Sequence, residues 1–330
     1  MPTRYLFLLI FHLSILLALP EQASALPQIS GTFIQLQEQH NRWDNKQWDI
    51  LFDQLQSLGI RQIIVQWSVN DNMAFYRSKV FKSAVSPPVE HILATASQRG
   101  MDVYVGLAAD PLFWENIKYD YNIEEYLKRL RLKSELAARE LAAVTGRCKA
   151  FKGWYIAEEI DDLSWQPQAR RKLLFQHLGL LSGFLKQQNP GKSVMISGFS
   201  NARMSPGTYE QFWGDLLKET SVTTVLFQDG AGTGKLSAAE AGLYMQALQN
   251  AAVMHNRSFM VIIELFQQLT EAPFKAVPAN MTRVEQQLKA AAPYADAGVF
   301  SFSIPDYMLQ VDGNKRRPLF ESYKAYMKQK

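Results

Sequence analysis

The chain of 330 residues has a single cysteine, Cys148. No disulfide can form within it, so the fold must be held by its core alone. A lone cysteine near the end of a helical stretch reads as a small packed hydrophobe, because a catalytic thiol needs a histidine partner and an activating environment. Histidine is scarce too. His12, His40, His91, His177 and His255 show no metal-ligand spacing such as HExxH, so no structural zinc and no cofactor is expected. The net charge is only +4, with no block of Lys and Arg. That excludes a nucleic-acid stripe and leaves at most a mild leaning toward an acidic polymer. No Gly-rich phosphate turn follows the first strand. Gly232, Gly234 and Lys235 lie after the sixth and lack the remaining spacing of a phosphate loop. Domain linkers and low-complexity tracts are also missing.

Long apolar runs are missing except at the start. Arg4 gives a small positive n-region, Tyr5 to Leu19 is apolar apart from His12 and Ser14, and Pro20 ends the run. Ala23-Ser24-Ala25 then supplies small residues at signal-peptidase spacing, so cleavage is expected after Ala25. The run falls short of the roughly 20 apolar residues of a spanning helix, although an uncut anchor is the alternative. The expected product is a soluble periplasmic or secreted protein, with residues 26–330 as one domain.

What is present is an alternation of apolar, β-rich runs and amphipathic helical stretches. Strands are expected at 29–36, 61–67, 101–108, 151–157, 193–198, 223–228, 258–263 and 298–304. Helices are expected at 44–58, 89–99, 123–144, 167–188, 206–218, 237–255, 282–292 and 319–327. Asp44 is a candidate N-cap, and Gly59, Gly100 and Asn189-Pro190-Gly191 are stops. Near-continuous apolar strands mark a parallel sheet buried on both faces. Eight strand–helix units predict an α/β fold, a single-domain (β/α)₈ TIM barrel, over an open doubly wound sheet. The loop from Ser68 to Pro88 is long enough to be functional.

In such barrels the active site is built from strand ends and the loops after them. Candidate binding residues at those ends are Gln35, Trp67, Asn70, Asp110, Trp114, Glu158, Asn201, Gln228, Asp229, Asp306 and Tyr307. Asp161, Asp162 and Ser200 fall there as well. Glu264 stands out because it follows the apolar run Phe259–Ile263, and acids are seldom buried unless paired or functional. Its bland reading is a pair with a barrel arginine such as Arg203. Glu158 and Glu159 are adjacent, so in an extended strand they face opposite sides. If Gly153, Tyr155 and Ala157 point inward, the period of two selects Glu159, with Glu158 as the alternate. Trp67, Tyr76, Phe113, Trp114, Trp165 and Tyr307 are candidate platforms for pyranose rings, whereas Trp43, Trp48 and Trp154 are expected to pack in the core.

Carboxylates on the fourth and seventh strands could meet a sugar from two faces, as glycosidic cleavage requires. In this respect the chain resembles the glycosidase barrels of clan A. That resemblance implies Glu159 as the catalytic acid/base and Glu264 as the catalytic nucleophile. Clan A usually has Asn directly before the acid/base; here that place holds Glu158, which bears on the contact to the sugar 2-hydroxyl. The segments Ile29–Leu36, Gly153–Asp161 and Gln228–Gly232 further resemble a bacterial family of unknown function with a glycosidase-type barrel. One branch of it is encoded beside exopolysaccharide synthesis and export genes. The resemblance implies a polysaccharide or oligosaccharide substrate, association with such an apparatus and no nucleic acid; a monomer is expected.

Three functions compete. The first is a retaining glycoside hydrolase acting on a cell-envelope or exported polysaccharide. The second is a non-catalytic polysaccharide-binding barrel that assists export. The third, a metal-dependent deacetylase or lyase, lacks a paired His/Asp set at the strand ends.

Overall fold

The computed structural model describes residues 27–83, 85–294, 297–310 and 315–329. The leader expected at residues 1–25 lies outside them. Eight parallel strands close into a barrel: β1 (Ile29–Ile34), β2 (Gln62–Val65), β3 (Asp102–Gly106), β4 (Phe151–Asp161), β5 (Ser193–Phe199), β6 (Thr224–Gln228), β7 (Ser258–Glu264) and β8 (Val299–Phe302). Around the barrel the order is β1-β8-β7-β6-β5-β4-β3-β2, so each strand lies beside its neighbours in sequence. The connecting helices are α1 (Asn45–Ser57), α2 (Pro88–Arg99), α3 (Ile123–Thr145), α4 (Gln168–Gln188), α5 (Pro206–Glu219), α6 (Ala238–Met254) and α7 (Met281–Ala291), and α8 (Pro318–Met327) follows β8. This is the (β/α)₈ barrel expected from the alternation.

Local sequence explains the ends of these helices. Asp44 caps α1, accepting from the Gln47 amide while Gln47 reaches back. Ser237 and Glu240 do the same for α6. Gly100 ends α2 in the left-handed conformation at φ 64°. Such caps contribute about 1 kcal/mol each, and burial supplies most of the rest.

The core has two layers. Phe33, Ile64, Tyr155, Met195, Leu226, Met260, Ile262 and Phe300 fill the barrel interior. Phe33 meets Tyr155 edge-on with ring centroids 5.4 Å apart. The alternate strand positions face the helices, where Trp48, Trp154 and Trp213 are fully buried. No helix among the described residues is long and apolar enough to cross a membrane.

Three differences from the sequence expectation concern the barrel mouth. β4 runs on to Asp161 instead of stopping at Ala157. The Ser68–Pro88 loop contains the two-residue strands Val69–Asn70, Met73–Ala74 and Lys82–Ser83, which join Ala108–Ala109 in a small sheet. A hairpin of Phe266–Thr270 and Lys275–Pro278 follows β7. Elements this short carry too little periodicity to be read from sequence.

Glycine permits the close approach of β4 to β5. A Cβ on Gly153 would lie 2.2 Å from the Ser193 carbonyl oxygen. Gly153→Ala is therefore expected to destabilise the barrel by about 1–3 kcal/mol, as overpacking does. Urea unfolding checks this through the transition midpoint at unchanged slope. A midpoint equal to that of wild type would show that the strands part to admit a methyl group.

Candidate active site at the barrel mouth

Glu159 reaches the mouth through an irregularity in β4. Ile156 pairs with Ile196, but the next paired residue is Glu159, opposite Ser197. The bulge absorbs Ala157 and Glu158 and turns the strand. Tyr155 keeps its side chain in the barrel, where its hydroxyl lies 2.7 Å from Ser197 Oγ. Above it Glu159 faces inward and remains partly open to solvent. Gln228 Nε2 donates to Glu159 Oε1 at 3.0 Å. Burial raises the Glu159 pKa, while the Gln228 hydrogen bond and the Lys235 ammonium pull it back.

Glu158 points the other way. It is 4% exposed, and its Oε1 lies 2.9 Å from His177 Nε2 on α4. Its Oε2 and His177 Nδ1 are sealed without partners. Glu158 therefore belongs to the strand–helix layer, which corrects its expected place among the substrate contacts. The physical reason is the alternation of the extended strand, which places neighbouring acids on opposite faces of the sheet.

Glu264 ends β7 and is 5% exposed. Its partner is not Arg203, which is exposed and donates its backbone amide to Asp162 at 2.9 Å. Instead Glu264 Oε2 accepts from the backbone N–H groups of Gly232 at 2.6 Å and Thr233 at 3.2 Å. Gly232 is required there, since a Cβ would lie 2.8 Å from that same oxygen. Oε1 of Glu264 and Oε2 of Glu159 have no hydrogen bond to any described residue.

Asp229, at the end of β6, is buried behind Glu264. Its Oδ1 accepts from the amides of Ala231 at 3.2 Å and Glu264 at 3.3 Å, and its Oδ2 accepts from Gln287 Nε2 at 2.6 Å. Arg283 on α7 donates to the carbonyls of Ala231 and Glu264, at 3.2 and 3.0 Å. Asp229 is thus fully occupied in holding Glu264, a correction to its expected role as a substrate contact. Glu264 is pushed well above the ordinary carboxylate range by burial first, then by the Asp229 charge; the two amides oppose this and Glu159 adds to it. Asp229 is raised by burial, and the Gln287, Ala231 and Glu264 donors favour its charged form.

The remaining candidates divide into free and occupied groups. Gln35, Gln228 and Tyr307 are half-buried at the mouth, and Trp114 is 41% exposed beside Phe199. Asn70 sits in the small sheet opposite Met73. Asp110 is occupied by the Leu112 amide, Asn116 and Tyr126, so it pins its loop rather than facing a ligand. Asn201 donates to Asp162 and Asp161, and Asp162 accepts from Ser200, Arg203 and Met204 as well; this network shapes the loop after β5. Asp306 is paired with Ser303 Oγ. Trp67 turns its Nε1–H to the Leu36 carbonyl at 2.8 Å and lays its ring against the core. Tyr76 and Trp165 are fully buried and Phe113 nearly so, which corrects their reading as sugar platforms. Trp43, Trp48 and Trp154 are buried as expected.

Sequence reasoning missed several groups. Lys235 places its ammonium 4.0 Å from the centroid of the Phe199 ring, within the field of Glu159. Phe266 lies two residues beyond Glu264, with its ring centroid 5.3 Å from that of Tyr307. Arg283, Gln287 and His177 come from helices. The one available signal was the position of Gly230–Lys235 directly after the sixth strand, which marks a mouth loop whatever its motif.

Residues 29–315 match the family described as domain of unknown function DUF4434. The uncharacterized protein YbcH of Escherichia coli (strain K12) is 34% identical over 224 residues, 66% of this chain and 71% of YbcH. A solved structure described as a candidate alpha-L-fucosidase from Bacteroides thetaiotaomicron superposes with a TM-score of 0.74 at 19% identity, covering 92% of this chain and 96% of that one. A GH2 beta-galacturonidase from Eisenbergiella tayi gives 0.57 at 13% identity, covering 92% and 51%. An intracellular xylanase from Thermoanaerobacterium saccharolyticum gives 0.52 at 10%, covering 90% and 95%. At these identities the three structures establish a shared barrel fold.

The raised Glu264 pKa has a consequence for stability. Above its ordinary value of about 4.5 the folded chain keeps a proton that the unfolded chain has lost. Stability therefore falls as pH rises from there toward the raised value. Glu264→Gln removes this loss. Its melting temperature relative to wild type is expected to be roughly 2 °C or more higher at pH 8 than at pH 4.5. Parallel melting curves across that range would refute the burial of a titrating carboxyl at this position.

Proposed function

We propose that this chain, which belongs to the DUF4434 family, is a retaining glycoside hydrolase acting on a cell-envelope or exported polysaccharide, with Glu159 as acid/base and Glu264 as nucleophile. The observation that carries the reading is the pair of mouth carboxylates, each with one oxygen fixed by protein donors and the other without a partner among the described residues. A fixed oxygen sets the orientation of the carboxyl group, and the second oxygen is left for the sugar. Glu159 is raised by burial, as a general acid requires. Gln228 and Lys235 bear on it and adjust its proton affinity. The barrel-sharing structures, described as acting on fucosides, galacturonides and xylan, support a sugar substrate.

In the proposed cycle Glu159 protonates the leaving oxygen while an oxygen of Glu264 attacks the anomeric carbon. The glycosyl–enzyme ester is then hydrolysed by water that gives its proton to Glu159. Trp114 and Tyr307 supply ring faces near the mouth, and Asn70 supplies a hydroxyl contact. The leader at residues 1–25 would deliver the enzyme to the periplasm or outside the cell, where it works beside exopolysaccharide synthesis and export as a monomer.

A second reading, a non-catalytic polysaccharide-binding barrel, is favoured by one observation. Asp229 lies behind Glu264 and disfavours the ionised form that a nucleophile needs. Activity separates the two. On a panel of 4-nitrophenyl glycosides and envelope polysaccharide, wild type is expected to release sugar, with Glu159→Gln and Glu264→Gln each slower by about 10²- to 10⁴-fold. Binding without release by wild type would select the second reading.

The pH profile assigns the roles. If Glu264 attacks, it must be ionised, and the acid limb of kcat/KM reports its raised pKa. Asp229→Asn removes the charge behind it, and its amide can donate to Gln287 Oε1, which is sealed and unpartnered. The acid limb is then expected to move to lower pH. A shift confined to the alkaline limb would make Glu264 the acid and reverse the assignment.

A further inference from the structure

A cavity lies on the same end of the barrel, outside the Glu159–Glu264 pair. It has a volume of about 120 Å³ and is lined by Gln35, Gln37, His40, Trp43, Asp306 and Gln310 among others. The first four follow β1, and Asp306 and Gln310 follow β8, whose Phe302 pairs with Glu264. The cavity is therefore one strand round the mouth from Glu264. Tyr307 spans the gap: it adjoins Asp306 in sequence and packs at a tilt against Phe266, and its hydroxyl lies in the field of both Asp306 and Glu264.

The lining has a definite chemistry. His40 Nδ1 accepts from the Gln37 N–H at 2.9 Å, so in the neutral ring the proton sits on Nε2. Burial lowers the His40 pKa to about 4, which keeps the ring neutral under ordinary conditions. The imidazole is thus an uncharged donor. The Gln35 side chain has no hydrogen-bond partner among the described residues and can both donate and accept. One Asp306 oxygen is taken by Ser303, and the other has no described partner. Trp43 packs edge-on to His40 at 4.6 Å and adds an apolar wall.

These groups exclude most ligands. No Lys or Arg among the described residues lines the cavity, and Arg317, which lies in the field of Asp306, donates its Nε–H to the Leu309 carbonyl at 2.7 Å, so an anion entering here meets the Asp306 carboxylate before any cation. Among the described residues, one carboxylate with neutral neighbours is too few oxygen ligands for a hard cation. Amides, a carboxylate and a neutral N–H leave no place for a wholly apolar guest. Alternating donors and acceptors beside an aromatic wall suit the hydroxylated edge of a sugar.

We propose that this cavity is a separate subsite for a neutral, hydroxyl-bearing sugar unit, set beside the cleavage site on the Glu264 side. Only its role in aligning a polymer rests on the hydrolase reading; the binding itself does not. Calorimetric titration of the Glu264→Gln protein with methyl glycosides of glucose, galactose and fucose, and with methyl glucuronide as the charged control, tests it. At least one neutral glycoside is expected to bind in the millimolar range, with wild type and Glu264→Gln alike and the glucuronide at least tenfold weaker. Gln35→Ala, a change at a half-buried side chain without a partner, and the double variant Gln35→Ala/Asp306→Asn are each expected to weaken it about tenfold or more. Unchanged affinity in both variants, equal binding of the glucuronide, or no neutral glycoside bound would overturn the subsite. An inactive enzyme that still binds neutral glycosides here would overturn the hydrolase reading alone.

Discussion

The mouth of this barrel is organised around a carboxylate that water can barely reach. Glu264 follows five consecutive apolar strand residues, and an isolated charge in such a place is costly unless donors meet it. Two backbone amides of the loop after β6 do so, and everything around them follows from that requirement. The loop must come close, so Gly232 has no room for a side chain. It must also be held, and Arg283 ties its Ala231 carbonyl to the carbonyl of Glu264 itself. Asp229 anchors the same loop through Ala231 and the same strand through the Glu264 amide. That anchor is itself an acid, so the device that positions Glu264 also raises its proton affinity.

Glu159 is solved differently. Its strand carries the bulge, and the neighbouring acid is disposed of in the helix layer against His177. Glu159 keeps more contact with solvent, has a neutral amide donor in Gln228 and feels the Lys235 ammonium. Lys235 has Phe199 beneath it as a second, weaker electrostatic partner. The two mouth acids therefore differ in kind. Glu159 can be adjusted by a flexible cation, whereas Glu264 is fixed by backbone and by a buried charge.

Much of this frame was legible in the sequence. Buried parallel strands and capped helices declare themselves by run length and period, and Glu264 was conspicuous as an acid at the end of Phe259–Ile263. The period of two pointed to Glu159, although the strand reaches it through a bulge that the period does not contain. What stayed hidden depends on contacts between distant elements. Gln287 and Arg283 lie on α7, and helical periodicity marks them only as positions beside the core. Tyr76 and Trp165 stand near strand ends in sequence, but whether a ring there faces the mouth or the helix layer depends on how the loop folds back. The long strand-two loop concealed its small sheet because two-residue strands have no period.

On the proposed hydrolase reading, the protons at the mouth must shift when a sugar binds. Burial raises the proton affinity of both mouth acids; the Asp229 charge raises that of Glu264 further, whereas the Lys235 ammonium lowers that of Glu159. A nucleophile needs the reverse. A sugar hydroxyl donated to the free oxygen of Glu264 favours its ionised form, and displacement of water from around Glu159 favours its protonated form. Both changes come from the same bound ring, and neither requires the protein to move. A substrate that fills the mouth without offering that hydroxyl would leave the proton on Glu264. On that same reading, the protonation pattern set by Asp229 would act as a specificity device, rewarding a sugar that presents a donor at the right place.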